Sequence, residues 1–310
     1  MGDLLTALAA AQPDKTAIID DRTGVTGTDD VRTITFAEFE DRANQLVHVL
    51  DGLGVGPGDK VVWCGQNSTG ILELTSASRK IGSTAVPLNY RLSDEEAAYV
   101  IDHCDATTVY IDAEFAVLID RIRPEIPKVV NVLVFDGDAP DGMTAVDPLI
   151  VAAPTNVMER TDVDEGGATM TYTSGTTGKP KGAFRRTAAD PRAGAALMQH
   201  IGYRPDDVYL TTGPLYHSGP GGFAASAIAM GQTVVLQGRY LGGPASGMVR
   251  LGADENGKGG FILPVASVVT WTDSRIEFKL PSGAAAGGGY VFVEVAGRQS
   301  TGLPFSIKAG

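Results

Sequence analysis

Cysteine, histidine, tryptophan and positive charge are all scarce in this chain: two, four and two residues in 310, and 25 Lys and Arg against 37 Asp and Glu. Each shortage removes a class of function. Cys64 and Cys104 have neither the paired spacing of a zinc site nor the density of a disulfide scaffold, so both are expected as buried free thiols, and no metal-ligating set is read. A formal charge of −12 opposes nucleic-acid phosphate, which excludes DNA and RNA as partners and requires any anionic ligand to find a local positive pocket. No apolar run approaches the roughly 20 residues of a membrane span. Met1 to Ala11 is apolar but carries Asp3 and no basic start, unlike a signal peptide. A cytoplasmic protein without a transmembrane segment is the expectation.

At 43% apolar the chain can bury one large core or two smaller ones. Thr35 with Glu38 reads as a capping box, and Phe39, Ala43, Leu46, Val47 and Leu50 then recur at helical spacing until Gly52 and Gly54 stop the helix. A strand is expected over Lys60 to Cys64, a helix over Ser68 to Ile81 and a strand over Thr84 to Leu88. Ser93 with Glu96 opens a further helix to about His103. Strands at Thr107 to Ile111, Val129 to Phe135 and Ala168 to Thr173, with helices near Ala113 to Ile122 and Ala188 to Ile201, continue the rhythm. Such alternation predicts a mostly parallel sheet covered by helices. Asp136 to Glu165, rich in Asp, Pro and Thr, reads as a surface connection.

The densest chemistry lies in Met170 to Ala183, MTYTSGTTGKPKGA. A β-prone run breaks into Gly175, Gly178 and Gly182, which let backbone N–H groups turn toward a ligand. Thr173, Ser174, Thr176 and Thr177 add hydroxyls, and Lys179 and Lys181 add charge. On this chemistry alone an anion cradle and a Gly/Thr-rich surface turn are both open. A Walker loop is excluded, because Thr173 stands where it needs a glycine and no Ser or Thr follows Lys179. Asp207 to Thr211 reads as the next strand, with Gly213 to Gly219 as its exit loop. His217 is the one histidine flanked by glycines there, and a lone histidine is ordinarily structural.

Thr173-Ser174-Gly175-Thr176-Thr177-Gly178-Lys179-Pro180-Lys181 resembles the phosphate-binding signature of the adenylate-forming superfamily of acyl-CoA synthetases, peptide-synthetase adenylation domains and luciferases, filling every place. The pieces Phe36 to Phe39, Gly56 to Asp59, Gln66 to Ser68 and Pro87 to Leu92 follow in that family's order, specifically as in fatty-acid and related acyl-CoA ligases. The likeness runs from about Thr16 to Leu236. It implies that Thr173 to Gly178 and Lys181 hold the phosphates of ATP, with Lys181 as the contacting lysine. It also implies that His217 borders the acyl group, with Tyr216 and Phe223 as candidate pocket walls that ordinary core packing explains equally well. The implied partners are a carboxylic acid and ATP, with Mg2+ and CoA. The outer motifs carry no catalytic role in this reading.

After Leu236 the pattern changes. From Arg239 onward seven Lys and Arg face five Asp and Glu, so this part carries +2 and the remainder −14, and 14 of the 39 glycines fall here. Gln237 to Gly247 is too rich in Gly and Pro for the helix the alternation calls for. Arg275 to Leu280 and Tyr290 to Val295 alternate as antiparallel strands. Trp271, Phe278, Tyr290 and Phe292 read as core. Val269 to Ile276, Pro281 to Gly283 and Leu303 to Ile307 resemble the immunoglobulin-like IPT/TIG module, and Gly231 to Tyr240 fits either resemblance. The expected organisation is an AMP-binding part over 1–238 and a small antiparallel, Ig-like segment over 239–310, with the junction between Met230 and Gly243. The adenylate-forming resemblance also implies later motifs for adenine, magnesium and ribose and a mobile domain with a catalytic lysine. None has a counterpart here, so impaired acid activation is one expectation and an inactive nucleotide-binding or structural chimera the other. A sheet edge left bare at the break would favour self-association.

Overall fold

A computed structural model describes residues 3–21, 31–159, 167–173, 180–186, 200, 202–211, 213–236, 247–272, 275–281, 287–295, 298–299 and 303–307. They fall into two units, Met1–Asp20 with Arg32–Leu236, and Asp21–Val31 with Gln237–Gly310. No described helix is long and apolar enough to cross a membrane.

The first unit runs α1 (Leu4–Ala11), β1 (Thr16–Asp21), β2 (Val31–Thr35), α2 (Phe36–Gly52), β3 (Lys60–Cys64), α3 (Thr69–Ile81), β4 (Thr84–Leu88), α4 (Asp94–His103), β5 (Thr108–Asp112), α5 (Ala116–Ile122), β6 (Asn131–Phe135), β7 (Thr144–Ala145), α6 (Asp147–Ala152), β8 (Ala168–Thr173), β9 (Lys181–Arg186), β10 (Val208–Leu210), α7 (Ser218–Ala229) and β11 (Thr233–Leu236). The expected capping boxes are present. Thr35 Oγ1 accepts from the Glu38 amide at 3.2 Å while Glu38 Oε2 accepts from the Thr35 amide at 2.8 Å, and Ser93 with Glu96 repeats the arrangement at the start of α4. Helix α2 then buries Phe36, Phe39, Ala43, Leu46, Val47 and Leu50, each large side chain contributing about 1.5–3 kcal/mol of apolar burial. It stops before Gly54, whose φ of +80° lies in the left-handed region.

A seven-stranded sheet has the order β7-β6-β5-β3-β4-β8-β9, parallel throughout except for the final antiparallel pair β8–β9. Its central strands are apolar without interruption because both faces are covered. Val61 and Trp63 of β3 join one core with Tyr110, Phe135 and helices α1, α2 and α3, while Val62 and Cys64 join the opposite core with Val86, Val109 and helices α4 and α5. Cys64 and Cys104 are buried and free. A second sheet, β10-β11-β1-β2, pairs β11 in parallel with both β1 and β10. The strand Thr233–Leu236 therefore belongs to the first unit, and its reading as an early strand of the tail module does not hold.

The stretch Asp136 to Glu165 departs from the expected surface connection. Val146 and Ile150 are buried, Asp147 with Pro148 opens α6, and β7 pairs with β6. Pro at the first turn costs a helix nothing, since that N–H has no intrahelical acceptor. The helix expected near Ala188 to Ile201 lies, apart from His200, outside the described residues, as do 237–246 at the junction.

The second unit is antiparallel β. Strands β12 (Gly247–Ala253), β13 (Gly259–Ile262), β16 (Gly287–Val295), β17 (Arg298–Gln299) and β18 (Leu303–Ile307) make one sheet in which β16 pairs with β12, β17 and β18, and β14 (Val268–Thr272) pairs with β15 (Arg275–Phe278). Val249, Leu251 and Leu263 form a small core, against which Trp271, Ile276, Phe278 and Val291 pack.

Candidate functional site

Strands β8 and β9 form a hairpin with Thr173 directly opposite Lys181 and Tyr172 opposite Gly182. Opposed residues of an antiparallel pair project to the same face. The Thr173 hydroxyl and Lys181 ammonium thus share one face at the loop end of the hairpin, both solvent-exposed. Lys181 is the first residue of a return strand, where the sequence reading has it within the loop. Ser174, Gly175, Thr176, Thr177, Gly178 and Lys179 lie outside the described residues.

Helix α4 grips both ends of this connection. The Tyr99 hydroxyl donates to the Pro180 carbonyl at 3.3 Å, and the Tyr172 hydroxyl is hydrogen-bonded to His103 Nδ1 at 2.7 Å. Burial pushes the Tyr172 phenol pKa up, so it stays protonated. The sequence reading misses this grip. Its signal is the i, i+4 pair Tyr99 and His103, which places both side chains on one helix face.

The exit loop of β10 is built differently. Thr211 donates its amide and its hydroxyl to the Val235 carbonyl at 2.9 and 3.1 Å, fixing the loop to β11. The His217 amide donates to the Pro214 carbonyl at 3.0 Å, and His217 occupies the N-cap of α7, at the positive end of that helix's peptide dipoles. Its ring is exposed and lies 4.6 Å from that of the buried Tyr216. Tyr216 meets Tyr90 edge to face at 5.4 Å, Tyr90 stacks on Phe115 at 4.9 Å, and the Arg91 guanidinium lies 5.6 Å from the Tyr90 centroid. Phe223 lies apart from this row, 6.3 Å from Tyr203 and 42% exposed.

Two side chains between β3 and α3 tie these segments together. Asn67 Oδ1 accepts from the Leu215 amide at 2.8 Å and its Nδ2 donates to the Gly213 carbonyl at 3.1 Å, while Gln66 Nε2 donates to Glu114 Oε2 at 2.8 Å. Topology explains the gathering. Gln66 and Asn67 follow β3, Tyr90 and Arg91 follow β4, Glu114 and Phe115 follow β5, and Thr173 ends β8. All four strands run parallel, so their carboxyl ends lie along one edge of the sheet, where open α/β sheets hold ligands. Among the described residues no cluster of three His, Cys, Asp or Glu side chains could hold a metal.

Comparison with known proteins matches residues 5–242 to the family model described as AMP-binding enzyme. A long-chain-fatty-acid–CoA ligase from Thermus thermophilus is 33% identical over 223 residues, covering 71% of this chain and 40% of the relative. The chain thus spans about two fifths of the length of the curated relatives it matches. Among solved structures, the N-terminal domain of FACL13 from Mycobacterium tuberculosis, with a bound inhibitor, superposes with a TM-score of 0.64 at 24% identity, covering 75% of this chain and 55% of that one. The O-succinylbenzoate coenzyme A synthetase of Bacillus subtilis, in complex with ATP and magnesium, gives 0.58 at 23% identity, covering 76% and 57%. Both likenesses are of fold.

Proposed function

The chain belongs to the AMP-binding enzyme family, and from that membership we propose that it binds ATP between Thr173 and Lys181 and turns it on a carboxylic acid, a fatty acid in the first instance. The acid's carboxylate oxygen attacks the α-phosphorus, the bond to the bridging oxygen of pyrophosphate breaks, and acyl-adenylate forms. A CoA thiol then attacks the acyl carbon, AMP leaves, and the thiol proton passes to solvent. The observation that carries this reading is the pairing of Thr173 with Lys181 at the carboxyl end of β8, which supplies a hydroxyl and a cation on one exposed face. Among the described residues Lys181 forms no ion pair, so its charge remains for an anion.

The residues present fit the nucleotide's phosphates. Ser174, Gly175, Thr176, Thr177 and Gly178 would add hydroxyl and amide donors, and Lys181 would offset the charge that develops on departing pyrophosphate. Magnesium, with no described carboxylate cluster to receive it, would be held chiefly by the phosphates. His217, with Tyr216 and Tyr90 beside it, would border the acid. The described strands between Gly247 and Ile307 pair antiparallel, and with no counterpart there to the adenine- and ribose-binding motifs that the resemblance implies, the proposal is of nucleotide binding that outruns turnover.

The test is fatty-acid-dependent exchange of labelled pyrophosphate into ATP. Lys181→Ala should lower it on the order of a hundredfold, the scale of losing one charge-stabilising donor. Equal exchange in the variant would remove Lys181 from the mechanism. A second reading is favoured by the separate small core of the second unit. It holds that a catalytically inactive nucleotide-binding part is joined to an IPT/TIG-like interaction module. Calorimetry with ATP and a non-hydrolysable acyl-adenylate analogue separates the readings, since binding without exchange supports the second.

A further inference from the structure

We infer that Asn67 is a positioning residue that fixes the loop bearing Tyr216 and His217, and through it the acid end of the site, an inference that rests on the proposed acid activation. Asn67 is 8% exposed and uses both ends of its carboxamide on one short stretch: Oδ1 takes the Leu215 amide proton at 2.8 Å and Nδ2 gives to the Gly213 carbonyl at 3.1 Å. These contacts span 146 and 148 residues of sequence, so no local turn preference could replace them. Among the described residues the loop is otherwise restrained at its two ends, where Thr211 bonds to the Val235 carbonyl and the His217 amide to the Pro214 carbonyl. Its glycine and proline supply no side-chain hydrogen bonds, and Gly221 of α7 lies so close to the Leu215 carbonyl that a methyl group there would overlap it. Packing on one side and Asn67 on the other seat Tyr216, 6% exposed, edge to face with Tyr90.

The neighbouring Gln66 extends the same device. By holding Glu114 it sets the turn that presents Phe115 to Tyr90, so adjacent residues govern both ends of the row Phe115, Tyr90, Tyr216, His217. An aspartate at 67 would keep an acceptor for Leu215 and, when ionised, turn a second acceptor toward the Gly213 carbonyl. Lone pair would then face lone pair, and the loop would move.

The experiment compares wild type, Asn67→Asp and Asn67→Ala. The His217 ring resonance in the proton NMR spectrum, assigned with His217→Ala, reports the ring lying 4.6 Å from that of Tyr216 at a tilt of 55°. It should shift toward that of a free histidine in both Asn67 variants, while the resonances of His48 and His103 stay in place. In exchange assays the kcat/KM for the acid should fall roughly tenfold to a hundredfold, as misplacement on the order of 1 Å does, with the KM for ATP changing less than about twofold. A merely structural role would depress both substrates together. An unmoved His217 resonance in the folded Asn67→Asp variant, or equal losses for acid and ATP, overturns the inference. If wild type itself shows no exchange, the activity reading fails while the resonance still decides the role of Asn67.

Discussion

Asp20 is a carboxylate 3% exposed, and its Oδ2 accepts both the Thr69 amide at 2.9 Å and the Thr69 hydroxyl at 3.0 Å. It thereby caps α3 from a strand 49 residues away. Ser68, the residue whose identity suggests a local N-cap, makes no side-chain cap, and its hydroxyl finds no partner among the described residues. A negative group at a helix N-terminus gains from the peptide dipoles and satisfies an otherwise orphaned amide. Asp20→Ala should therefore cost about 1–3 kcal/mol by leaving that amide buried and unpaired. Ser68→Ala, losing a hydroxyl with nothing to bond, should change stability by less than about 0.5 kcal/mol. Urea midpoints at constant m-value measure both, and the reverse ranking would assign the cap to Ser68.

The β8–β9 hairpin stands at the end of its sheet and depends on α4 for its place. Tyr172→Phe removes the hydroxyl that meets His103 and keeps the ring that packs beside Gly182, so it should weaken the hairpin by about 1 kcal/mol. Amide exchange should rise in Lys181–Arg186 and not in β3 or β5; an unchanged hairpin would mean that pairing with β8 suffices. Elements of this kind were unevenly legible. The boxes Thr35/Glu38 and Ser93/Glu96 and the apolar strands β3 to β6 could be read directly, because caps and two-sided burial leave local marks. The partner of Thr233–Leu236 could not, because β1 lies more than 200 residues upstream and pairing is chosen by tertiary packing. Helix α6 was hidden by the Asp and Pro that begin it. At the candidate site, Thr173, Lys181 and His217 are picked out by the family resemblance, since residue type alone leaves a surface turn and a structural histidine open. Gln66 and Asn67 act through carboxamides directed at remote backbone, a role that residue type cannot reveal.

Across the whole first unit, burial on both faces of the sheet couples stability to pH through the two thiols. Cys64, at the end of β3, is pushed up to about 12 from the ordinary 9.0, first by desolvation and then by Glu114. Cys104, at the end of α4, is pushed up to about 11 by burial. A group whose folded pKa lies above its unfolded value binds its proton more tightly when folded. Its stabilising contribution is complete below pH 9.0 and is lost as pH rises toward 11 and 12. Lys80 and Arg79 act in the opposite sense, since burial lowers their pKa values, that of Arg79 to about 10, and neutralisation relieves the folded state. The net alkaline slope mixes these terms, and comparison with Cys64→Ala isolates one. The cavity left by the missing sulfur lowers stability by the same amount at every pH, whereas the thiol's proton contributes a slope of about 1.4 kcal/mol per pH unit above its unfolded pKa. Chemical denaturation from below pH 9.0 up toward 12 should give a wild-type curve that starts above that of the variant and converges on it. Two parallel curves would mean that the Cys64 thiol titrates in the fold as it does in the unfolded chain, and that the core around β3 admits water.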